Sequence, residues 1–162
     1  WISDLDTTIT GNLTCTIDSA RTSKVILMSE FTVGAGKTYS IAGNARDSGS
    51  SDSALSGALS GLPNIEHLFI GVVGVEGPSG DGYTETSMYT TNVRAGTTGG
   101  GAAGNQTANI ARFVNTSVSG SYGDLSNLGS SRDWVAIVAA IDEVDEGVGN
   151  PRAVIISKAR QR

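Results

Sequence analysis

Four carboxylates stand within five residues, at Asp142, Glu143, Asp145 and Glu146. Carboxylates packed this closely are the raw material of a calcium site or of an acid/base pair for hydrolysis. Asp142, Asp145 and Glu146 are the calcium candidates. The stretch lacks the D-x-D-x-D-G pattern of a calcium loop, and a solvated acidic turn is the plainer reading. Asp47 and Asp52 in "RDSGSSDS" repeat the idea with fewer groups. His67 is the only histidine. A single histidine excludes a multi-histidine metal centre and makes any Ser-His-Asp triad depend on that one residue. No G-x-S-x-G elbow accompanies it, and it opens an apolar run, so it reads as a strand-edge histidine. Cys15 is the only cysteine, which rules out a disulfide framework. It shares its parity with Leu13 and Ile17 and is expected to be a buried, inert thiol.

Two glycine motifs resemble phosphate sites without meeting their rules. Gly36-Lys37-Thr38 lacks the glycine that a P-loop places five residues earlier, where Phe31 stands, and "TYSIAG" after it is strand-like rather than helical. A hairpin turn is the better reading. "GVVGVEG" (71–77) has a glycine at every third residue, not the G-x-G-x-x-G of a dinucleotide loop. No cofactor is expected. Tyr83 and Tyr89 lie six apart, with Glu85 and Ser87 between them. On one face of a strand they would stack a sugar ring or pack a partner, and they are the binding candidates. A partly covered sheet face is the plainer alternative. "NLT", "NQT" and "NTS" at Asn12, Asn105 and Asn115 fit the N-glycosylation pattern.

The elements that must position these residues read as strands. The stretch "DWVAIVAAIDEVDEG" (133–147) fits helical spacing at Trp134, Ile137, Val138, Ile141 and Val144. Its β-branched crowding and the acidic group at what would be a helix C-terminus favour a buried central strand over 133–141. The acidic segment then turns into a last strand, "RAVIISKA". Residues 1–18 alternate as a long half-exposed strand. Residues 24–33 and 37–43 form two more, joined as a hairpin. Residues 44–64 form a long connection with helical spacing at Ala54, Leu55, Ala58, Leu59 and Leu62. Residues 67–75, 83–93 and 107–115 are strands. The glycine-rich 94–106 is a mobile loop, and 116–131 is a loop. The expectation is one all-β domain over 1–162, an antiparallel jelly-roll-like β-sandwich of about eight strands with long Gly/Ser/Thr-rich loops. Residues 1–18 pair within it or engage a neighbouring subunit by strand addition.

Composition agrees. Gly, Ser and Thr number 22, 20 and 16 among 162 residues, the layout of short strands and turns. Net charge is −5, with three lysines and no basic stripe, which disfavours nucleic acid. No apolar run approaches the length of a membrane-spanning helix, so no membrane insertion is expected. The sequence opens on Trp1, as a processed form or a fragment would.

"HLFIGVVGVEG" followed by a Gly/Thr-rich middle and "SRDWVAIVAAID" resembles jelly-roll modules of phage structural proteins and bacterial surface proteins, over residues 67–142. The resemblance implies decoration, adhesion or assembly, and it brings no catalytic residues. The expected function is a non-enzymatic structural protein of a virion or an extracellular or cell-surface assembly. Its partners would be copies of itself or other structural proteins. A carbohydrate-binding or adhesin module that takes glycans is the alternative, and a carboxylate-dependent hydrolase the third reading.

Overall fold

Leu27, Ile70, Ile110 and Ile141 meet in one buried cluster between two antiparallel sheets. The computed structural model describes residues 2–5, 14–16, 20, 22–86, 88–99, 101–116, 120–121, 125–145 and 152–158. The chain is all-β. Its strands are β1 (Ile2–Leu5), β2 (Ile26–Phe31), β3 (Lys37–Ser51), β4 (Ala58–Leu59), β5 (Glu66–Glu76) and β6 (Thr84–Glu85), then β7 (Thr90–Gly96), β8 (Gln106–Thr116), β9 (Gly120–Ser121), β10 (Leu125–Asn127), β11 (Arg132–Asp145) and β12 (Arg152–Lys158). The main sheet has five strands in the order β3-β11-β5-β8-β7, and a smaller sheet has the order β1-β12-β2. Two minimal ladders, β10-β6 and β4-β9, complete the topology of the described residues.

β11 is the central strand that its sequence predicts, but it is not buried throughout 133–141, since Asp133, Val135 and Ile137 are exposed, and it runs on through Asp142–Asp145, where a turn was expected. It runs beside β3 along its whole length, with Trp134 opposite Gly49, and beside β5 with Trp134 opposite Val75. Successive side chains point to opposite faces. One face of the main sheet receives Val25 and Leu27, with the β2 segment laid across β7 and β8. The other is covered by loop residues: Ala54, Tyr83 and Leu128 over Val73, Val75 and Ala136, and Leu59 and Tyr89 over Phe69, Val138 and Ala140. Trp134 is half-buried, and its indole N–H donates to Ser51 Oγ at 2.9 Å. Its ring lies across Gly49, where an added Cβ would stand 2.7 Å from Trp134 Cζ2.

Several expectations are corrected. Among the described residues there are twelve strands where about eight were expected, four of them only two or three residues long. The turn before Lys37 forms, with Lys37 N–H donating to Gly34 O at 3.0 Å, but no hairpin follows, because β2 pairs with β12 and β3 with β11. The connection expected from residue 44 is strand as far as Ser51. Its small residues Gly43, Ala45 and Gly49 suit a covered face, and the long β11 partner overrides low strand propensity. No helix forms over 54–62, where Gly57 and Gly61 adopt φ of +82° and +71° and interrupt the helical spacing. The strand expected over 83–93 is broken by a turn in which Tyr89 N–H donates to Thr86 O at 3.0 Å. Within 116–131, the short β9 and β10 replace part of the expected loop.

The glycine-rich segment, expected to be loop, carries regular structure at two places. β7 extends to Gly96, and a 3₁₀ turn spans Ala102–Gly104. The Asn105 side chain is buried and donates to Gly99 O at 2.6 Å and Gly101 O at 2.9 Å, while accepting from Thr97 Oγ1 at 3.0 Å. Of the long N-terminal strand expected, Ile2–Leu5 form β1, paired with β12 of the same chain, and 14–16 is not strand; residues 1 and 17–18 lie outside the described residues. Residues 6–13 of that expectation lie outside the described residues. No helix among the described residues is long and apolar enough to cross a membrane.

Candidate functional site

At one end of the main sheet the two layers part and leave a cleft of about 630 Å³. That volume falls in the roughly 300–1,000 Å³ range of small-molecule sites. Alternation along three adjacent strands builds its floor: Ile141 of β11 stands opposite Leu68 of β5, which stands opposite Val114 of β8. Two residues further along, on the same face, Ile70 pairs with Arg112. Phe31 at the end of β2 and Tyr39 on β3 form the walls. Glu30, Glu66 and Glu143 bring carboxylates to the rim, with Lys37 and Arg112 as the cations.

Two of these charged groups are fixed in place. Glu143 accepts the Gly34 N–H at 2.9 Å, which ties the β2–β3 turn to β11. Lys37 pairs with Asp145. The hydrogen bond and the charge of Lys37 hold the Asp145 carboxyl below the usual carboxylate range, and the same contacts raise the Lys37 ammonium above its ordinary value. Arg112 makes no ion pair among the described residues.

Directly behind the cleft, on the other face of the sheet, sits a buried polar pair. His67 is fully buried rather than at an exposed strand edge, and its Nδ1 bonds the Asp142 carboxylate. Its Nε2 lies 2.9 Å from Pro63 O. A carbonyl oxygen only accepts, so Nε2 donates. Nδ1 then either donates to an ionised Asp142 or accepts from a protonated one, and the pair shares one proton. The ring meets Phe69 edge-on at 5.7 Å, Phe69 stacks on Phe113 at 4.5 Å, and Tyr89 meets Phe113 edge-on at 4.7 Å. With both nitrogens engaged and no exposed surface, His67 is a structural clasp and not a base facing a substrate.

Of the calcium candidates, Asp142 and Asp145 do not converge. Asp142 turns to His67, while Glu143 and Asp145 project from the opposite face of the same strand. No group of three or more metal-ligating side chains forms among the described residues, and Glu146 lies outside them. Asp47 is exposed and accepts the Ser48 N–H at 2.8 Å, and Asp52 is exposed in the connection after β3.

Tyr83 and Tyr89 are both buried, in different core clusters, so they do not present one open aromatic face. Burial pushes the Tyr83 phenol up. Glu85 lies in the short β6 and accepts from Thr91 and Arg94. Ser87 is outside the described residues. Cys15 is exposed rather than buried, and Leu13 and Ile17, whose parity suggested burial, are outside the described residues. Of the sequons, Asn105 is engaged inside the protein, Asn115 is exposed, and Asn12 is outside the described residues.

Most residues that line the cleft escaped the sequence reading because they come from β2, β3, β5, β8 and β11, each contributing two or three side chains. Alternation within each strand was visible, but the registers that bring the strands together were not. Comparison with known proteins found no matching family model, no matching curated protein and no matching solved structure.

Proposed function

We propose that this protein is a non-enzymatic structural element of a virion or an extracellular assembly, and that it acts through contacts with further copies of itself. The observation behind this reading is an apolar stripe on the main sheet. Ile41, Val135 and Ile137 share the face toward the smaller sheet, where β2 lies over β7 and β8 and β12 meets β3, and they stay exposed there. The three side chains are 47%, 41% and 45% exposed. Asn44, Arg46 and Ser48 of β3 border them on the same face. An apolar patch with a polar rim is the usual form of a protein–protein contact. The edges of the smaller sheet add to it: β2 carries exposed Ile26 and Met28 on its outer face, and β1 and β2 are terminal strands of that sheet.

The jelly-roll relationship belongs to the same reading. Pairing within the two larger sheets is nested: β1 and β2 pair with β12, β3 with β11, and β5 with β8, while the short β6–β10 ladder crosses this order. Such folding of one half of the chain onto the other supports a wound double-sheet topology, although a division into three and five main strands departs from an even one. Sedimentation velocity over rising protein concentration tests the proposal. Reversible formation of discrete oligomers is expected, and a chain that stays monomeric at every concentration sinks it. A carbohydrate-binding or adhesin role is the second reading, and the observation that favours it is the cleft at the end of the sheets.

A further inference from the structure

We infer that the cleft between the sheets binds a neutral carbohydrate, in the form of a short oligosaccharide. This deepens the second reading above and does not depend on the assembly reading. The cleft is large enough for a ligand of several rings, at about 630 Å³. Its floor and walls are apolar or aromatic, and its rim carries fixed charges of both signs. That combination selects among ligand classes. A fatty acid would use the floor of Leu68, Ile70 and Ile141 and pair with Arg112, but its carboxylate would also stand among Glu30, Glu66 and Glu143. A cationic amphiphile would pair with those carboxylates but would also stand beside Arg112 and Lys37. A small bare ion of either sign would leave the apolar floor without a partner.

A sugar ring matches all of these surfaces at once. Its C–H faces pack on aromatic and aliphatic side chains such as Tyr39 and Val114. Its hydroxyls both donate and accept, so they donate to Glu66 and accept from Arg112 without bringing a net charge near either. Neither Glu66 nor Arg112 is engaged in an ion pair among the described residues. The site is also built on rigid parts. Its floor belongs to paired strands, and Glu143 is held by the Gly34 N–H. Pre-positioned polar groups lower the ordering cost of binding.

The experiment follows the backbone amide signals of the full chain by NMR while maltotriose, cellotriose and chitotriose are added in turn. Decanoate and dodecyltrimethylammonium serve as the charged amphiphile comparisons. At least one trisaccharide is expected to shift the amides of Glu66, Ile70, Arg112 and Glu143. Val114→Arg, at an exposed position inside the cleft, should weaken that binding by at least about tenfold with the fold intact. Ile65→Arg on the cleft wall, at an exposed loop position, serves the same purpose should the strand variant fail to fold. The inference is overturned if no trisaccharide moves these amides, if either amphiphile moves them and no sugar does, or if sugar binding survives both substitutions. None of these outcomes bears on self-association, which is read separately by sedimentation.

Discussion

His67 and Asp142 show how a residue with chemical potential becomes structural. Each satisfies the other in a buried space, and Pro63 takes the remaining ring nitrogen. Removing one partner leaves a buried polar or charged group alone, which typically costs about 3–5 kcal/mol. His67→Ala should therefore lower the unfolding free energy by about that amount in urea denaturation. The double substitution His67→Leu/Asp142→Leu should recover most of the loss, because no orphaned group remains. If the single and double variants were equally unstable, the clasp would not be the source of the cost. Lys37 and Asp145 are the contrasting case, an exposed pair whose worth is screened by solvent. Asp145 has its folded pKa depressed, so its contribution is present above the ordinary carboxylate range and is lost as pH falls through the depressed value. Lys37 has its pKa raised, so its contribution is complete below the ordinary lysine range and is lost as pH rises through the raised value. In Lys37→Met, the Asp145 carboxyl followed by carbon NMR should titrate at higher pH than in the parent. An unchanged titration would show that the two do not interact in solution.

At the scale of elements, β11 was legible because its β-branched crowding and its acidic end disagree with a helix. Its neighbours were not legible, since pairing depends on contacts far apart in sequence. The hairpin expected of β2 and β3 failed for that reason: the turn at Gly34–Lys37 is local chemistry, while the destination of each strand is not. The parity that placed Tyr83 and Tyr89 on one face assumed an unbroken strand, and the turn at Thr86–Tyr89 removes that premise. Likewise, spacing grouped the four carboxylates, but strand alternation separates Asp142 from Glu143 and Asp145. The contact of Gly49 with Trp134 makes a test of the β3–β11 register. Gly49→Ala forces the ring to move and should cost about 1–3 kcal/mol in chemical denaturation. A neutral effect would place Trp134 elsewhere. In the glycine-rich loop, Asn105→Ala removes several buried hydrogen bonds and should cost about 1–3 kcal/mol. Amide exchange over 97–105 should quicken, while exchange in β5 stays slow. Fast exchange in the parent itself would show that the loop does not hold the bonds seen around Asn105.

For the molecule as a whole, covering the main sheet is uneven. One face is closed over by loop residues and β4, and the other is covered by the smaller sheet, with β2 over β7 and β8 and β12 meeting β3, while Ile41, Val135 and Ile137 remain exposed. The all-β class could be read from composition and strand spacing. The uncovered stripe could not, because apolar residues on β11 look alike in sequence whether a neighbouring layer reaches them or not. Full burial of an apolar side chain contributes about 1.5–3 kcal/mol, and these three have less than half of their surface left to bury, so they act as part of a larger contact that takes in its polar border. The most direct measurement is sedimentation equilibrium of the parent chain and of Val135→Lys/Ile137→Lys, each checked by circular dichroism for an unchanged strand signal. The account predicts that the parent self-associates and that the variant dissociates at least about tenfold more readily. A monomeric parent, or a folded variant that associates as tightly as the parent, would contradict it.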